Sequence, residues 1–343
     1  MSTNDLSRDM TGPGSPLYEV LSDGSALYAI LPAFLYVVLS PEGSKGVDDH
    51  DRVAKVAMRD TVSIEDMLIR LLDTFDLVVG LAFAGNERAA VAHAIHELHR
   101  HIEGTLDDGT RYHAWNKDVW AWTWAGILKP IMDTHEELRG FKTASFRQDV
   151  YTGFLQIGAL FRAQGLPEQY SDFEVYWKEV WIPYANDTGT GQFIMDLARQ
   201  PLMPRFAPWI PRPVWQRLTW PMRHFFWTGM LLTIPPEIEQ KLGITRTWRD
   251  RIAVRAHRSF WRMLPRPITS CWVSTYFHMR LKFGHPSWRN HYSYESLDQY
   301  RIAMKEAKKS GSKLPPRPSA RHVTESHDSQ KVGEIAAGCP FNH

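Results

Sequence analysis

An all-α fold is what this sequence predicts, and three observations predict it. Apolar residues recur at helical spacing in one stretch after another. Convincing alternation of period two is scarce, and no internal repeat is present. The composition, 43% hydrophobic and 23% charged over 343 residues, is that of an ordinary globular chain and argues against disorder as a whole. The expected division is a flexible start over 1–16, a helical domain over 17–300 and a polar tail over 301–343, where Lys, Ser, Pro and Gly dominate from Lys305 onward.

The elements follow in order. Leu21 to Leu39 reads as a first buried helix, broken or bent near Pro32. Pro41 to Asp51 is rich in Pro, Gly and Asp and reads as a turn, with a short helix over Asp51 to Met58. Ser63-Ile64-Glu65-Asp66 resembles a capping box that opens a long helix, Ile64 to Ala84. Gly85-Asn86 stops it, and Glu87 to Glu103 is the next helix, with Gly104 as its C-terminal cap. Asp107-Asp108-Gly109 is a turn. Further helices are expected over Lys117 to His135, Ser145 to Ala163, Phe173 to Val180, Thr188 to Arg199, Phe225 to Thr233 and Trp248 to Met263. Six prolines between Pro201 and Pro221 forbid an unbroken helix there.

Several function classes are disfavoured. Forty Lys plus Arg against 38 Asp plus Glu leave a net charge of +2, which gives no reason to expect non-specific nucleic-acid binding. Two cysteines, Cys271 and Cys339, make no disulfide framework and read as reduced thiols. The first residues lack a basic and apolar secretory pattern, and the apolar stretch Ala26 to Leu39 is short of the roughly 20 residues that span a bilayer. A soluble, cytoplasmic protein is the expectation. Fourteen Trp and 15 His stand out: the tryptophans point to large buried aromatic surface, the histidines either to metal or haem ligation or merely to polar surface.

Two helices carry the chemistry. On the helix Glu87 to Glu103, Val91, Ile95, Leu98 and Ile102 form an apolar stripe. His93 and His96 fall on the far side, whereas His99 and His101 border the stripe at roughly 70° and 90° from its centre. A ligand must reach inward, so His99 is the first candidate and His101 the second; a satisfied boundary histidine is the plain alternative. His96 and His99 could share a metal, but no full zinc set accompanies them. On the helix Ile64 to Ala84, one stripe is Ile64, Leu68, Leu71, Phe75, Val78 and Ala82, and another is Arg70, Thr74, Leu77 and Leu81. Arg70 and Thr74 on an apolar side are costly unless partnered. Either they face a polar guest, such as an oxygen species or a carboxylate, or Arg70 pairs with Asp66 one turn earlier.

Read together, the segments Arg70-Leu-Leu-Asp-Thr74, His99-Arg-His-Ile-Glu-Gly104 and Gly109-Thr-Arg-Tyr112-His-Ala114-Trp-Asn116 have a familiar order. With Ser40-Pro-Glu-Gly-Ser-Lys-Gly46-Val-Asp-Asp-His50 upstream and Ile234-Pro-Pro-Glu237 to Leu242-Gly243-Ile downstream, the chain resembles the haem-b oxygenase superfamily. That superfamily contains the bacterial latex-clearing protein (a rubber oxygenase) and the fungal oxygenase of mycophenolic acid biosynthesis. The likeness covers roughly residues 20–270. It implies a globin-like helical domain holding one haem b. His99 matches the proximal iron ligand, and Arg70 and Thr74 match the polar pair lining the haem pocket. The implied activity uses dioxygen to cleave a carbon–carbon double bond of a lipophilic, isoprenoid-like substrate. A haem carrier or sensor without turnover is the alternative.

The chain departs from the family in places. Latex-clearing proteins carry a lysine just before the threonine, where Asp73 stands here, so that distal ligand is absent. Trp122-Thr-Trp124 stands where many members have a histidine. Asp48, Asp49 and His50 lie in the right neighbourhood for a base, though a solvated turn explains them equally well. Trp120 and Trp124 share one helix face and Trp122 lies opposite. Tryptophans and arginines interleave from Arg205 to Met230, which suits a packed wrapping segment, a peripheral membrane contact or the mouth of a lipophilic channel. Cys339-Pro340 has the form of a haem-responsive dipeptide.

Overall fold

Ser15 opens the first helix, α1 (Pro16–Ser22). Its hydroxyl accepts the Tyr18 amide, and Pro16 takes the first position, where a missing N–H costs nothing. Asp23 then caps a 3₁₀ turn, Gly24–Ala29, that runs into α2 (Ile30–Val37). The break therefore falls at Asp23 rather than at Pro32. The Asp23 carboxylate accepts the Ser25 amide at 2.8 Å, and Pro32 lies in the first turn of α2, where it is tolerated. The computed structural model describes residues 9–51, 59, 62–200, 202–204, 206–283 and 310. The expected helix beyond Asp51, the tail apart from Ser310, and Cys339-Pro340 lie outside these residues.

Pro41 to Asp51 corrects the reading of a turn: it forms α3 (Pro41–His50). The Ser40 hydroxyl accepts the Gly43 amide and Pro41 follows, which are strong local helix-start signals. The glycines that suggested a turn serve packing instead. A Cβ on Gly43 would lie 2.1 Å from the Val37 carbonyl oxygen, and one on Gly46 would lie 3.2 Å from Ile102.

The capping box is as expected: Ser63 and Asp66 cap each other's backbone at the start of α4 (Ile64–Phe83). The next helix, α5 (Arg88–Leu98), is shorter than its periodicity suggests and ends at His99. The chain beyond it makes a hairpin, β1 (Glu103–Thr105) with β2 (Arg111–His113), antiparallel with Gly104 opposite Tyr112. Gly104 is thus a strand residue and not a cap: the Tyr112 ring crosses it so closely that a Cβ would meet Cε1 at 2.9 Å. Three-residue strands are too short to show a period of two. Their turn, with Gly109 at φ +86°, lies where the sequence puts it.

The remaining helices are α6 (Lys117–Leu138), α7 (Ala144–Leu160), α8 (Tyr170–Tyr176), α9 (Ile182–Tyr184), α10 (Gly189–Arg199), α11 (Arg212–Leu218), α12 (Trp220–Thr233), α13 (Pro236–Lys241), α14 (Trp248–Met263), α15 (Arg266–Thr269) and α16 (Trp272–Phe283). A single π turn, Trp177–Trp181, joins α8 to α9. The fold is mostly helical, as predicted, and the proline-rich stretch is broken where it had to be. Among the described residues, no single helix is long and apolar enough to cross a membrane.

The core gathers where α2 packs on α6, α1 on α7, and α12 on α2 and α6. Trp124, Trp181, Tyr36 and Phe154 are fully buried, and each of the three polar tips among them has a partner: Trp124 Nε1 donates to the Phe154 carbonyl, Trp181 Nε1 to that of Trp122 and Tyr36 Oη to that of Thr233. As the helix wheel requires, Trp122 points away from Trp120 and Trp124. It stacks on Trp181 at 4.6 Å and 9°, and Trp181 stacks on Trp177 at 3.9 Å and 14°. Arg139, at the end of α6, closes the molecule. Its side chain is 2% exposed and donates to Asp23, to the carbonyls of Trp261 and Leu264, and to the Thr269 hydroxyl.

His135, one turn before Arg139, is buried against Phe141 with neither ring nitrogen hydrogen-bonded. Burial, reinforced by Arg266, Arg139 and Lys142 against the opposing charge of Asp23, pushes its pKa down to about 4. A depressed folded-state value means the unfolded chain binds the extra proton first. The stability tied to neutral His135 is therefore complete above about pH 6.5 and is lost as pH falls toward 4; its size is roughly 3 kcal/mol. His135→Phe removes both unpartnered nitrogens. It should flatten the decline in melting temperature between pH 7.5 and 5, and an unchanged slope in that variant would discount the assignment.

Candidate active site

Helices α2, α3, α4, α5 and α6, together with the hairpin, enclose a cavity of about 440 Å³. Its walls are mainly apolar, and its polar groups come from few places: Glu42, His50 and Asp51 at α3, Arg70, Asp73 and Thr74 on α4, His99 after α5, Tyr112 on β2 and Thr123 on α6. The second stripe on α4, Arg70, Thr74, Leu77 and Leu81, lines this cavity in its entirety. Trp120 and Trp124 line it too, while Trp122 does not.

His99 is the donor the sequence singled out, and its surroundings fix its state. Its Nδ1 lies 2.7 Å from the Ile95 carbonyl oxygen, which can only accept, so Nδ1 carries the hydrogen. Nε2 is left with its lone pair and makes no hydrogen bond among the described residues. Trp120 packs on the ring with centroids 5.0 Å apart. Burial lowers the His99 pKa, and the Arg70 and His96 charges lower it further against the opposing Ile95 bond, so the ring is neutral at pH 7. A neutral imidazole with one N–H pinned to a carbonyl and the other nitrogen free is what a metal-ligating histidine requires. The residues present therefore fit an iron porphyrin: one nitrogen donor, apolar walls and a nearby cation.

The helix end explains why His99 and not its neighbours reaches the cavity. His93 is exposed, His96 stacks on Trp115 at 4.1 Å, and His101 lies exposed on the turn after the helix. His101 was the second candidate by wheel position, but α5 has ended before it, and it does not line the cavity. Among the described residues no cluster of three or more His, Cys, Asp or Glu could hold a bare metal ion.

Arg70 answers the alternative left open by its spacing. It pairs with Asp51, Nε and Nη2 each 2.7 Å from Oδ2, and not with Asp66, whose carboxylate caps α4. Its Nη1 donates to Thr74 Oγ1, and Thr74 in turn donates to the Arg70 carbonyl at 3.2 Å. Asp51 is the partner that sequence reasoning missed: it lies 19 residues away, beyond any helical periodicity. Asp48 is committed elsewhere, to Arg59 and to the Thr190 hydroxyl, and His50 Nε2 bonds the Glu103 carbonyl at 3.0 Å. Neither is a free base. Burial, with Asp49 and Asp48 adding to it, pushes the Tyr112 phenol up to about 12, so it stays a neutral donor at the wall.

These features define a helical protein built around an apolar cavity with one available imidazole nitrogen and an arginine–hydroxyl pair. Residues 18–264 match the catalytic domain described as ER-bound oxygenase mpaB/B′/rubber oxygenase. The chain belongs to that family. The matched span runs from α1 through α14 and contains His99, Arg70 and Thr74. No curated protein and no solved structure matches the chain.

Proposed function

We propose that this chain is a haem b-dependent oxygenase that uses dioxygen to cleave a carbon–carbon double bond in an unsaturated, isoprenoid-like substrate. Membership of an oxygenase family supports an oxidoreductase. The observation that carries the haem reading is His99, with Nδ1–H committed to Ile95 and Nε2 available at the wall of an apolar cavity. In this reading the helical domain is used in a globin-like way, with His99 as proximal ligand and Arg70 and Thr74 as the polar pair. The haem would supply dioxygen binding and activation. In the overall reaction both oxygen atoms end in the two carbonyls that replace one C=C bond, so no outside electrons are consumed.

The protein's own contributions follow from its groups. The Ile95 carbonyl fixes the His99 tautomer and orientation. Asp51 and Thr74 hold the Arg70 guanidinium at the cavity wall, where it can donate to an oxygen guest or to a propionate. The apolar lining excludes water and accepts a hydrocarbon chain. Asp73 stands where latex-clearing proteins carry a lysine, so that distal nitrogen ligand is absent and rubber cleavage is not implied.

The test is an absorption spectrum of the purified protein, oxidised and reduced, with a pyridine haemochrome assay, followed by oxygen uptake on polyprenyl substrates. A b-type signature near one haem per chain with carbonyl products is the expected result. Haem retained without oxygen-dependent substrate loss would leave the non-catalytic carrier standing. Arg70→Ala should retain haem and slow turnover by roughly a hundredfold to a thousandfold, the scale of losing one donor to developing charge. Wild-type turnover in that variant would reduce Arg70 to the structural partner of Asp51.

A further inference from the structure

A second, smaller chamber of about 100 Å³ adjoins the cavity and is lined by apolar residues of α2, α4, α10 and α12 together with Leu202. Arg70 and Asp51 line both chambers, as do Phe34, Val38 and Val47, so these side chains form the wall the two chambers share. The rim of this chamber includes Leu68, itself exposed on α4, and the half-buried Leu202 and Met222. The segment that follows Leu202 is tied to this rim. The Met203 carbonyl accepts the Ile64 amide at 3.2 Å, the Phe206 amide donates to Glu65 at 3.1 Å, and Trp215 Nε1 donates to the Leu202 carbonyl at 2.8 Å.

Beside the rim the protein exposes what soluble surfaces usually cover. Trp209 is 78% exposed and Phe206 71% exposed, and Leu218 stands out on α11, a helix with no buried residue. Ile69 and Leu72 on α4 continue the apolar surface beside Leu68. The segment that carries these side chains has charge of one sign, with Glu65 of α4 facing it at the Phe206 amide. Residues 197–236 contain five arginines and neither aspartate nor glutamate. Arg212 and Arg217 are exposed, with no charged partner among the described residues.

We propose that this rim, with Trp209, Phe206 and Leu218 as the inserting side chains and Arg212 and Arg217 as the anchoring cations, docks on an anionic lipid surface. Indole rings and aliphatic side chains partition into the headgroup boundary, and arginines beside them meet lipid phosphates. A lipid surface fits better than a protein partner because the exposed aromatic and aliphatic side chains lie on a segment, residues 197–236, whose charged side chains are all arginines, a match for anionic headgroups. The arrangement deepens the proposed function and rests on it for its purpose: a lipophilic substrate would pass from the bilayer through the small chamber, past Arg70 and Asp51, without crossing water.

Flotation of the full chain with vesicles tests this without reference to turnover. Binding to vesicles of phosphatidylcholine with about one third phosphatidylglycerol should exceed binding to pure phosphatidylcholine by roughly tenfold or more, and should weaken as salt rises. Trp209→Glu with Leu218→Glu should abolish flotation, and Arg212→Glu with Arg217→Glu should remove the preference for anionic lipid. Val180→Glu, on an exposed position after α8, should change nothing. Circular dichroism confirms that each variant is folded. Wild-type protein that stays at the bottom of the gradient, or folded rim variants that float as well as wild type, would overturn the proposal. So would a lipid-independent dimer that the rim substitutions dissolve, since the occupant would then be a second copy. Vesicle binding without any oxygenase activity would leave the docking surface intact and refute only the reaction.

Discussion

His99→Ala is expected to abolish stable haem binding while leaving the helices in place. Loss of a hydrogen bond that merely supports a metal-bound histidine costs on the order of 10–100-fold in affinity, and loss of the ligand itself should exceed that. The fold should survive because His99 is at the end of α5 and the one hydrogen bond its side chain makes among the described residues goes to the carbonyl of Ile95, one turn earlier. Titration of the purified variant with haemin, alongside far-ultraviolet circular dichroism, separates the two effects. His93→Ala, on the exposed side of the same helix, is the control and should titrate like wild type. An unchanged Soret band and affinity in His99→Ala would remove His99 from the iron and with it the strongest support for a haem enzyme.

The largest effect on stability is expected from Arg139→Met. The side chain is buried, and it joins α6 to the N-terminal turn and to the chain around α14 and α15. Methionine leaves Asp23 without its cation and strips two carbonyls of their donor. Breaking a buried pair from one side costs about 3–5 kcal/mol, which in a chain of this size lowers the melting temperature by roughly 10 °C. The Asp23 carboxyl is held below its usual value chiefly by hydrogen bonds from Ser25, with Arg139 and Thr269 assisting against burial. That contribution is present above the unfolded carboxyl pKa near 4 and fades as pH falls through the lower folded value. The difference between wild type and variant should thus be larger at pH 7 than at pH 3. A melting temperature within 2 °C of wild type at neutral pH would show that the clasp is dispensable.

Much of the fold could be read ahead of the structure because helices announce themselves locally. Ser63 and Asp66 mark the start of α4, and the stripe Arg70, Thr74, Leu77 and Leu81 identifies the side that meets the cavity. The same wheel separates His99 from His93 and Trp122 from its neighbours. Where local signals compete, reading fails. Gly43 and Gly46 look like turn residues until their neighbours are known: the Val37 carbonyl leaves no room for a Cβ on Gly43, and Ile102 packs tightly against Gly46. Gly104 looks like a helix cap until Tyr112 lies across it. Such close approaches are tertiary facts and leave no periodicity. Asp51 is illegible for a related reason, since its pairing with Arg70 joins two elements that the sequence places apart. The rim around Trp209 was visible as composition but ambiguous in meaning. Only exposure tells an aromatic that wraps the core from one that faces outward.

The π turn between α8 and α9 brings Trp177 and Trp181 face to face, and Trp122 of α6 lies flat against the outer side of the pair. Three indoles this near and this parallel share their electronic excitation instead of absorbing singly. The chain thereby carries its own optical gauge: the sign and splitting of its near-ultraviolet dichroism report whether the 177–181 turn is seated on α6. Because none of the three rings lines the cavity, that signal can be followed while a coloured guest enters or leaves.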